Sequence, residues 1–290
     1  MTTTQFVQTA AGKFRVVVKD DIQYDIITRD AKIIGKLISV GGKNTCVFIN
    51  APNFIPTAKF ANVKTKEGGC ESLGKHIHGK DTITMVLLAF TIVKKVAPNI
   101  KILELDDMSD ILCTIDDAIS VSIPLSVYEL AFYNKTWYER HFGAYLQNPI
   151  FRNEYMKAKE GFTKPDTKPE YFSFNNKDLN IILSPLYSKT KTWNEFFSEI
   201  YKFDNKCKLM FPWYRDAIKL AMGGDTYERL TWEINLANCK SIKYTETKLG
   251  GSRKRKNTFL NNLLIHDGNN NYPVSNHILY NDIYDIKYIK

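Results

Sequence analysis

At 290 residues, 44% hydrophobic and 13% aromatic, the chain can bury one large core or two modest ones, which excludes disorder of the whole. Its net charge of +9, from 40 Lys and Arg against 31 Asp and Glu, favours an acidic partner without specifying one. No run reaches the ~18 uninterrupted apolar residues of a membrane span, and the N-terminal MTTTQFVQTAAGK lacks the charged-then-apolar order of a secretory signal, so a soluble intracellular protein is expected.

In chain order, residues 13–19, 33–40 and 45–50 read as strands of an antiparallel meander, divided by Asp20-Asp21 and Gly41-Gly42. Residues 60–66 supply a fourth strand. The stretch SLGKHIHGKDTITMVLLAFTIVKKVAPNIKILEL (72–105) then gives a loop, a buried helix and a buried strand in succession. Gly74 and Gly79 permit tight backbone geometry, Lys75, His76, His78 and Lys80 can carry positive charge, and Asp81 with Thr82 is a good N-cap. Free N–H groups at such a helix start attract phosphate. The helix, 82–96, is apolar on most sides and ends before Pro98, and 101–105 is a strand.

Beyond it, Asp106-Asp107-x-x-Asp110 and Asp116-Asp117 are acidic turns that could also hold magnesium. Residues 118–123 alternate as a half-buried strand closed by Pro124. Residues 125–142 follow as a helix with Ser126 as cap and Gly143 as stop. Residues 149–178 carry Pro149, Pro165 and Pro169 without a clear period and read as a junction between a domain at 1–148 and an extension at 179–290. The extension offers amphipathic helices at 192–203 and 209–222 as a hairpin, a break at Gly223-Gly224, a strand at 230–236 and mixed Ile/Tyr at 278–289. The basic run Arg253, Lys254, Arg255 and Lys256, among glycines and asparagines, reads as a loop able to contact nucleic acid.

The five cysteines, Cys46, Cys70, Cys113, Cys207 and Cys239, are odd in number, widely spaced and free of a CxxC pair, so reduced, buried thiols are expected. Two lesser constellations use Cys70. With His76 and His78 it gives three zinc-ligand types and no visible fourth, and with His78 alone it gives a nucleophile and base.

The order of meander, glycine loop, buried helix and strand, followed by WYERHFGA at 137–144, resembles the GNAT N-acetyltransferase fold over residues 12–145. The resemblance implies an α+β domain with a mostly antiparallel twisted sheet and packed helices, extended here by a helical C-terminal part. It also implies an acetyl-CoA pyrophosphate wrapped by the loop containing Gly74, Lys75, His76, His78, Gly79 and Lys80. A tyrosine matching Tyr138 would protonate the leaving thiolate, and Glu67 or Glu71 would take the proton of the amine. In HIHGKD, His76 stands where the family has Gln or Arg, and Asp81 stands where it has a small residue. A carboxylate facing a pyrophosphate repels it by on the order of a few kcal/mol. The expectation therefore leans to a non-catalytic binding or virion-associated protein that keeps the fold, ahead of an active acetyl-CoA-dependent N-acetyltransferase and of a nucleic-acid-binding accessory factor. The Lys-, Asn-, Ile- and Tyr-rich style, with KTWYERHFGAYL and TWNEFFSEIYKFDNKCKLMFPWYRDAI, resembles proteins of large cytoplasmic DNA viruses. That likeness implies a viral protein partner or nucleic acid, and a location in the host cytoplasm, at the viral factory, or in the virion.

Overall fold

The computed structural model describes residues 5–8, 13–18, 22–31, 35–42, 45–63, 70–72, 75–77, 79–107, 109–114, 120–174, 176–224, 230–242, 245–248 and 286–288. The meander runs through β1 (Gln5–Gln8), β2 (Lys13–Val18), β3 (Ile22–Ala31), β4 (Gly35–Gly41), β5 (Thr45–Ala51) and β6 (Thr57–Val63). A short hairpin, β7 (Glu71–Ser72) with β8 (Lys75–His76), leads into α1 (Lys80–Val96) and β9 (Ile102–Asp106). Next come β10 (Ser109–Thr114), β11 (Ser120–Pro124), α2 (Leu125–Tyr133), α3 (Trp137–Phe142), α4 (Pro149–Thr163), α5 (Lys177–Lys189), α6 (Trp193–Tyr201), α7 (Lys206–Met210) and α8 (Tyr214–Met222). The chain then adds β12 (Thr231–Asn235), β13 (Thr245–Lys248) and β14 (Ile286–Tyr288).

One sheet of nine strands organises the molecule, in the order β12-β9-β6-β5-β4-β3-β2-β1-β13, and a small sheet β11-β10-β14 stands apart. Neighbours from β1 to β6 are antiparallel, β6 and β9 are parallel, and β12 closes that edge antiparallel to β9. The fold is thus α+β with an antiparallel-dominated mixed sheet. Helix α1 is the crossover between the two parallel strands and packs on β4 and β5. Along β5, buried Val47, Ile49 and Ala51 alternate with half-buried Phe48 and Asn50, the period of a sheet with one covered face. Among the described residues no helix is long and apolar enough to cross a membrane.

Several sequence expectations change. Strand β3 is not among the expected strands, although buried Tyr24 and Ile26 alternate there with half-buried Asp25 and Ile27; Asp25 and Asp30 interrupt the apolar signal. The helix expected over 125–142 is two helices, because Asn134 takes the left-handed conformation at φ 54° and ends α2, after which the Thr136 hydroxyl accepts from Glu139 N and starts α3. Ser126 is no cap, since Pro124 occupies that position. The helix expected over 209–222 also splits, into α7 and α8. Residues 149–163, which showed no clear period, form α4: Pro149 occupies its first turn, Asn148 Oδ1 accepts from Ile150 N, and Tyr155, Ala158 and Phe162 are buried.

The cysteines are a further correction. Cys46 and Cys70 form one disulfide and Cys113 and Cys207 another, while Cys239 is free and buried. The sequence separations of 24 and 94 residues give no local signal, since only tertiary packing, of the start of the β7–β8 hairpin near β5 and of α7 on β10, brings the partners to Cα distances of 5.5 and 5.3 Å. The zinc and nucleophile readings of Cys70 fall with it, because a disulfide sulfur is neither a thiolate ligand nor a nucleophile. Among the described residues no group of three His, Cys, Asp or Glu side chains is arranged to hold a metal.

The loop between β5 and β6 is braced from two sides. Gly35, at φ 112°, lets that strand approach so closely that a Cβ would lie 2.2 Å from Ala51 O. Asn99 Nδ2 lies 3.3 to 3.4 Å from the carbonyl oxygens of Pro52, Asn53 and Ile55. The tip so held presents Phe54 at 90% exposure, with Ile55 beside it.

Two measurements test this packing. Gly161 on α4 touches α8 so closely that a Cβ would meet Ala221 O at 1.6 Å, whereas Gly224 has open space. Gly161→Ala is expected to lose about 1–3 kcal/mol in urea denaturation, and Gly224→Ala to stay within about 0.5 kcal/mol of the parent. Equal values for the two would refute the close helix contact. Thiol titration of protein denatured without reductant should find one thiol, Cys239, rising to all five cysteines after reduction.

Candidate functional site

Strands β6 and β9 pair through only Thr57–Ile102, Ala58–Leu103 and Lys59–Glu104. Beyond these residues β6 pairs with β5 and β9 with β12. A register shift against β5, where Phe48 faces Asn62 and Ile49 faces Phe60, leaves Ala61 as an extra residue. Such a bulge bends its strand. The bend falls where the ladder to β9 stops, so an opening forms at the C-terminal ends of the two parallel strands, the end at which α1 begins. In open α/β arrangements this is where ligands enter.

Tyr138 packs at that end of the strand pair. Its ring meets Phe60 edge-on at 6.2 Å between centroids, Phe60 meets Phe90 of α1 at 5.5 Å, and Phe90 meets Phe142 at 5.3 Å. On the β9 side the phenol lies beside Ser109 and Asp107, and burial first, then the Asp107 charge, raises its pKa above the ordinary tyrosine value. Helix α3 is short and is positioned from outside. Glu139 accepts hydrogen bonds from Lys159 Nζ, 3.0 Å, and Tyr155 Oη on α4, and Tyr145 just beyond α3 forms a bridge to Glu233 of β12.

A buried acidic cluster lies behind Tyr138. Asp107 follows β9, and its Oδ1 accepts from Ser109 N at 3.2 Å. Its Oδ2 and the Ser109 hydroxyl are buried and complete no hydrogen bond among the described residues. Burial pushes the Asp107 carboxyl up to about 6, against the opposing hydrogen bond from the Ser109 backbone N–H. Glu129 of α2 is pushed up to about 7 by burial, with the charge of Arg140 opposing and that of Asp107 adding. Arg140 Nη2 donates to Glu129 Oε2 at 2.6 Å. The guanidinium thus serves Glu129, and Glu129 and Asp107 each hold a proton more readily than an ordinary carboxyl. Buried polar atoms without partners are rare and concentrate at functional positions. Sequence reasoning placed Asp107 in an acidic turn and missed Ser109, Glu129 and Arg140, which lie on separate elements; the one local signal was a carboxylate directly after an apolar strand.

The expected cofactor loop is a hairpin. Glu71 pairs with His76 and Ser72 with Lys75, Ile77 is buried and donates from its N–H to Cys70 O, and the Cys46–Cys70 disulfide ties the hairpin to β5. Gly79 at φ 54°, not Asp81, holds the N-cap position of α1. Asp81 instead lies in the first turn, where the helix dipole favours a carboxylate, and its carbonyl accepts from Tyr24 Oη at 3.0 Å. Lys80 is exposed. The structure therefore brings Glu71, Lys75, His76, Gly79 and Lys80 together on the hairpin and helix start, and Tyr138 packs at that same end of the sheet. Glu67, Gly74 and His78 lie outside the described residues, as do Arg253, Lys254, Arg255 and Lys256. No family model matches the chain, and no curated protein or solved structure is similar to it.

The acidic cluster gives stability a defined pH dependence. The folded pKa of Asp107 lies above its ordinary 3.8, so folding retains a proton that the unfolded chain releases. The associated stability is full below about pH 4 and is lost as pH rises through about 6. At about 1.4 kcal/mol per tenfold change the loss is on the order of 3 kcal/mol. Asp107→Asn should remove that loss, gaining on the parent by this amount between pH 4 and pH 7.5 in urea denaturation. Parallel pH profiles for parent and variant would show that Asp107 is not buried as described.

Proposed function

We propose that this chain is a non-catalytic binding protein on an acetyltransferase-like scaffold, belonging to a large DNA virus and acting in the virion or in the cytoplasm of the infected cell. The scaffold part is supported by the order of meander, glycine-bearing connection, α1 and parallel β9, and by a bulged β6 whose ladder to β9 stops after three residue pairs. The observation that carries the non-catalytic part is Tyr138. In the GNAT family the cofactor enters between the two parallel strands, and here a buried side chain of the chain itself packs at that end of the strand pair, against Phe60 and beside Asp107. Asp81 in the first turn of α1 adds a carboxylate where the pyrophosphate would lie. The braced tip carrying Phe54 and Ile55 supports a role in protein contact, because a pre-organised aromatic anchor loses little entropy on binding.

A second reading, an active acetyl-CoA-dependent N-acetyltransferase, is favoured by one observation: the Asp107 carboxyl, held near 6 beside the Tyr138 phenol, pairs a base of suitable strength with an acid. Nucleic-acid binding is supported by net charge and the run of Arg253, Lys254, Arg255 and Lys256.

Thermal denaturation with millimolar acetyl-CoA separates the first two readings. The binding-protein reading predicts no change in Tm. A live site holding ligand at 100 times its Kd would gain about 2.7 kcal/mol, and a stabilisation of that order would overturn the proposal.

A further inference from the structure

Away from that opening, β11 and the start of α2 face α8 across a cleft of about 340 Å³, within the size range of small-molecule sites of ~300–1,000 Å³. Its two surfaces differ in chemistry. Ile123, Val127 and Ile218 give an apolar floor, and Arg215 and Lys219 stand beside it, four residues apart and so on one face of α8. No carboxylate is among the described residues that line it, although α8 has Asp216 in its first turn. Tyr214 lines the cleft too; it is 5% exposed, and its hydroxyl has no hydrogen-bond partner among the described residues. Burial raises its pKa well above the ordinary tyrosine value, so it remains a neutral O–H group. Both α2 and α8 begin at the cleft without a side-chain cap, and their positive ends add to the field of the two cations.

A bare inorganic anion would leave the isoleucine and valine floor unused, and a neutral hydrocarbon would make no use of the Arg215 guanidinium. We propose that this cleft binds a small amphiphilic anion, an apolar chain or ring ending in a carboxylate or a phosphate, with its head on Arg215 and Lys219 and its body on Ile123, Val127 and Ile218. The planar guanidinium matches either head through paired hydrogen bonds. This site is separate from the opening at Tyr138 and does not depend on the function proposed for it.

Calorimetric titration of the full chain with decanoate, decyl phosphate and decanol, each below its aggregation limit, tests the assignment. One saturable site is expected for at least one of the two anions, with the stronger one identifying the head group, and decanol should bind at least about tenfold more weakly because it lacks the charge-assisted contacts. Arg215→Ala with Lys219→Ala should weaken the anion by about tenfold or more. Ser122→Trp, at an exposed lining position, should block the cleft without changing its charge. Both variants are compared at matched cooperative melting, so loss of fold is seen separately. Absence of saturable binding by either anion, equal affinity for decanol, or binding unaffected by Ser122→Trp would each overturn the proposal.

Discussion

Two parallel strands joined over three residue pairs cannot close a sheet by themselves, and much of the molecule answers that shortfall. Hydrogen bonding between β6 and β9 ends where β6 bulges, and the space left must be filled by side chains or opened to water. Aromatic rings pack at that end: Tyr138 from α3, Phe60 from β6 and Phe90 from α1 stack edge to face, an arrangement worth more than its buried area alone. Helix α3 has six residues, too few to be stable in isolation. Its orientation is imposed by Glu139 on α4 and by the Tyr145 bridge to β12. Helix α4 is in turn seated against α8 at the Gly161–Ala221 approach. A chain of contacts thus runs from the C-terminal helices back to a gap between two strands.

That closure has an electrostatic consequence. Asp107 is carried inward because it continues directly from β9, whose backbone direction is set by pairing with β12; its N–H donates to Leu230 O. The carboxyl meets one backbone donor and a second buried acid, with the single guanidinium of Arg140 directed to Glu129. Buried carboxyls in this position are satisfied by protonation more cheaply than by full ionisation. The cluster is therefore a part of the structure in which burial works against charge, in contrast to the exposed Lys164–Glu160 and Lys202–Glu199 pairs, which contribute little.

The sequence was most legible where one rule acted alone. The strands at β2, β4, β5 and β9, helix α1 and the amphipathic helix α6 follow from period and local chemistry. Legibility failed where tertiary contacts decided. Charged residues masked the alternation in β3, a left-handed Asn134 split an apparently continuous helix, and the disulfides joined residues that share no local pattern. For the candidate site, the sequence singled out Tyr138 but placed it near the end of one helix over 125–142, whereas it lies in the first turn of the separate helix α3. Its surroundings were not legible, because Asp107, Ser109, Glu129 and Arg140 come from a strand end, a strand start and two helices, and their common burial exists only after folding. The capping role assigned to Asp81 failed for a narrower reason: Gly79 can adopt positive φ and start the helix earlier, which moves the carboxylate from the cap into the first turn.

Helix α2 links the end of the strand pair to the open cleft. Val127 lines the cleft and Glu129, two residues on, belongs to the acidic cluster. Residues two apart on a helix point to nearly opposite sides, at 3.6 residues per turn. The same nine-residue helix therefore forms the wall of an accessible cleft on one side and carries a buried carboxyl of the acidic cluster on the other. Its position is held by α6, where Phe132 meets Phe197 at 5.5 Å and Asn194 Nδ2 donates to Ala131 O at 2.5 Å, so it is braced toward its C-terminal end while its first turn faces the cleft. Packing Tyr138 at the end of the strand pair leaves the acid pair dry, and leaving the cleft open puts cations and apolar surface within reach of solvent. The physical division is between an interior that resists charge at the parallel strands and a surface that gathers positive charge at α8.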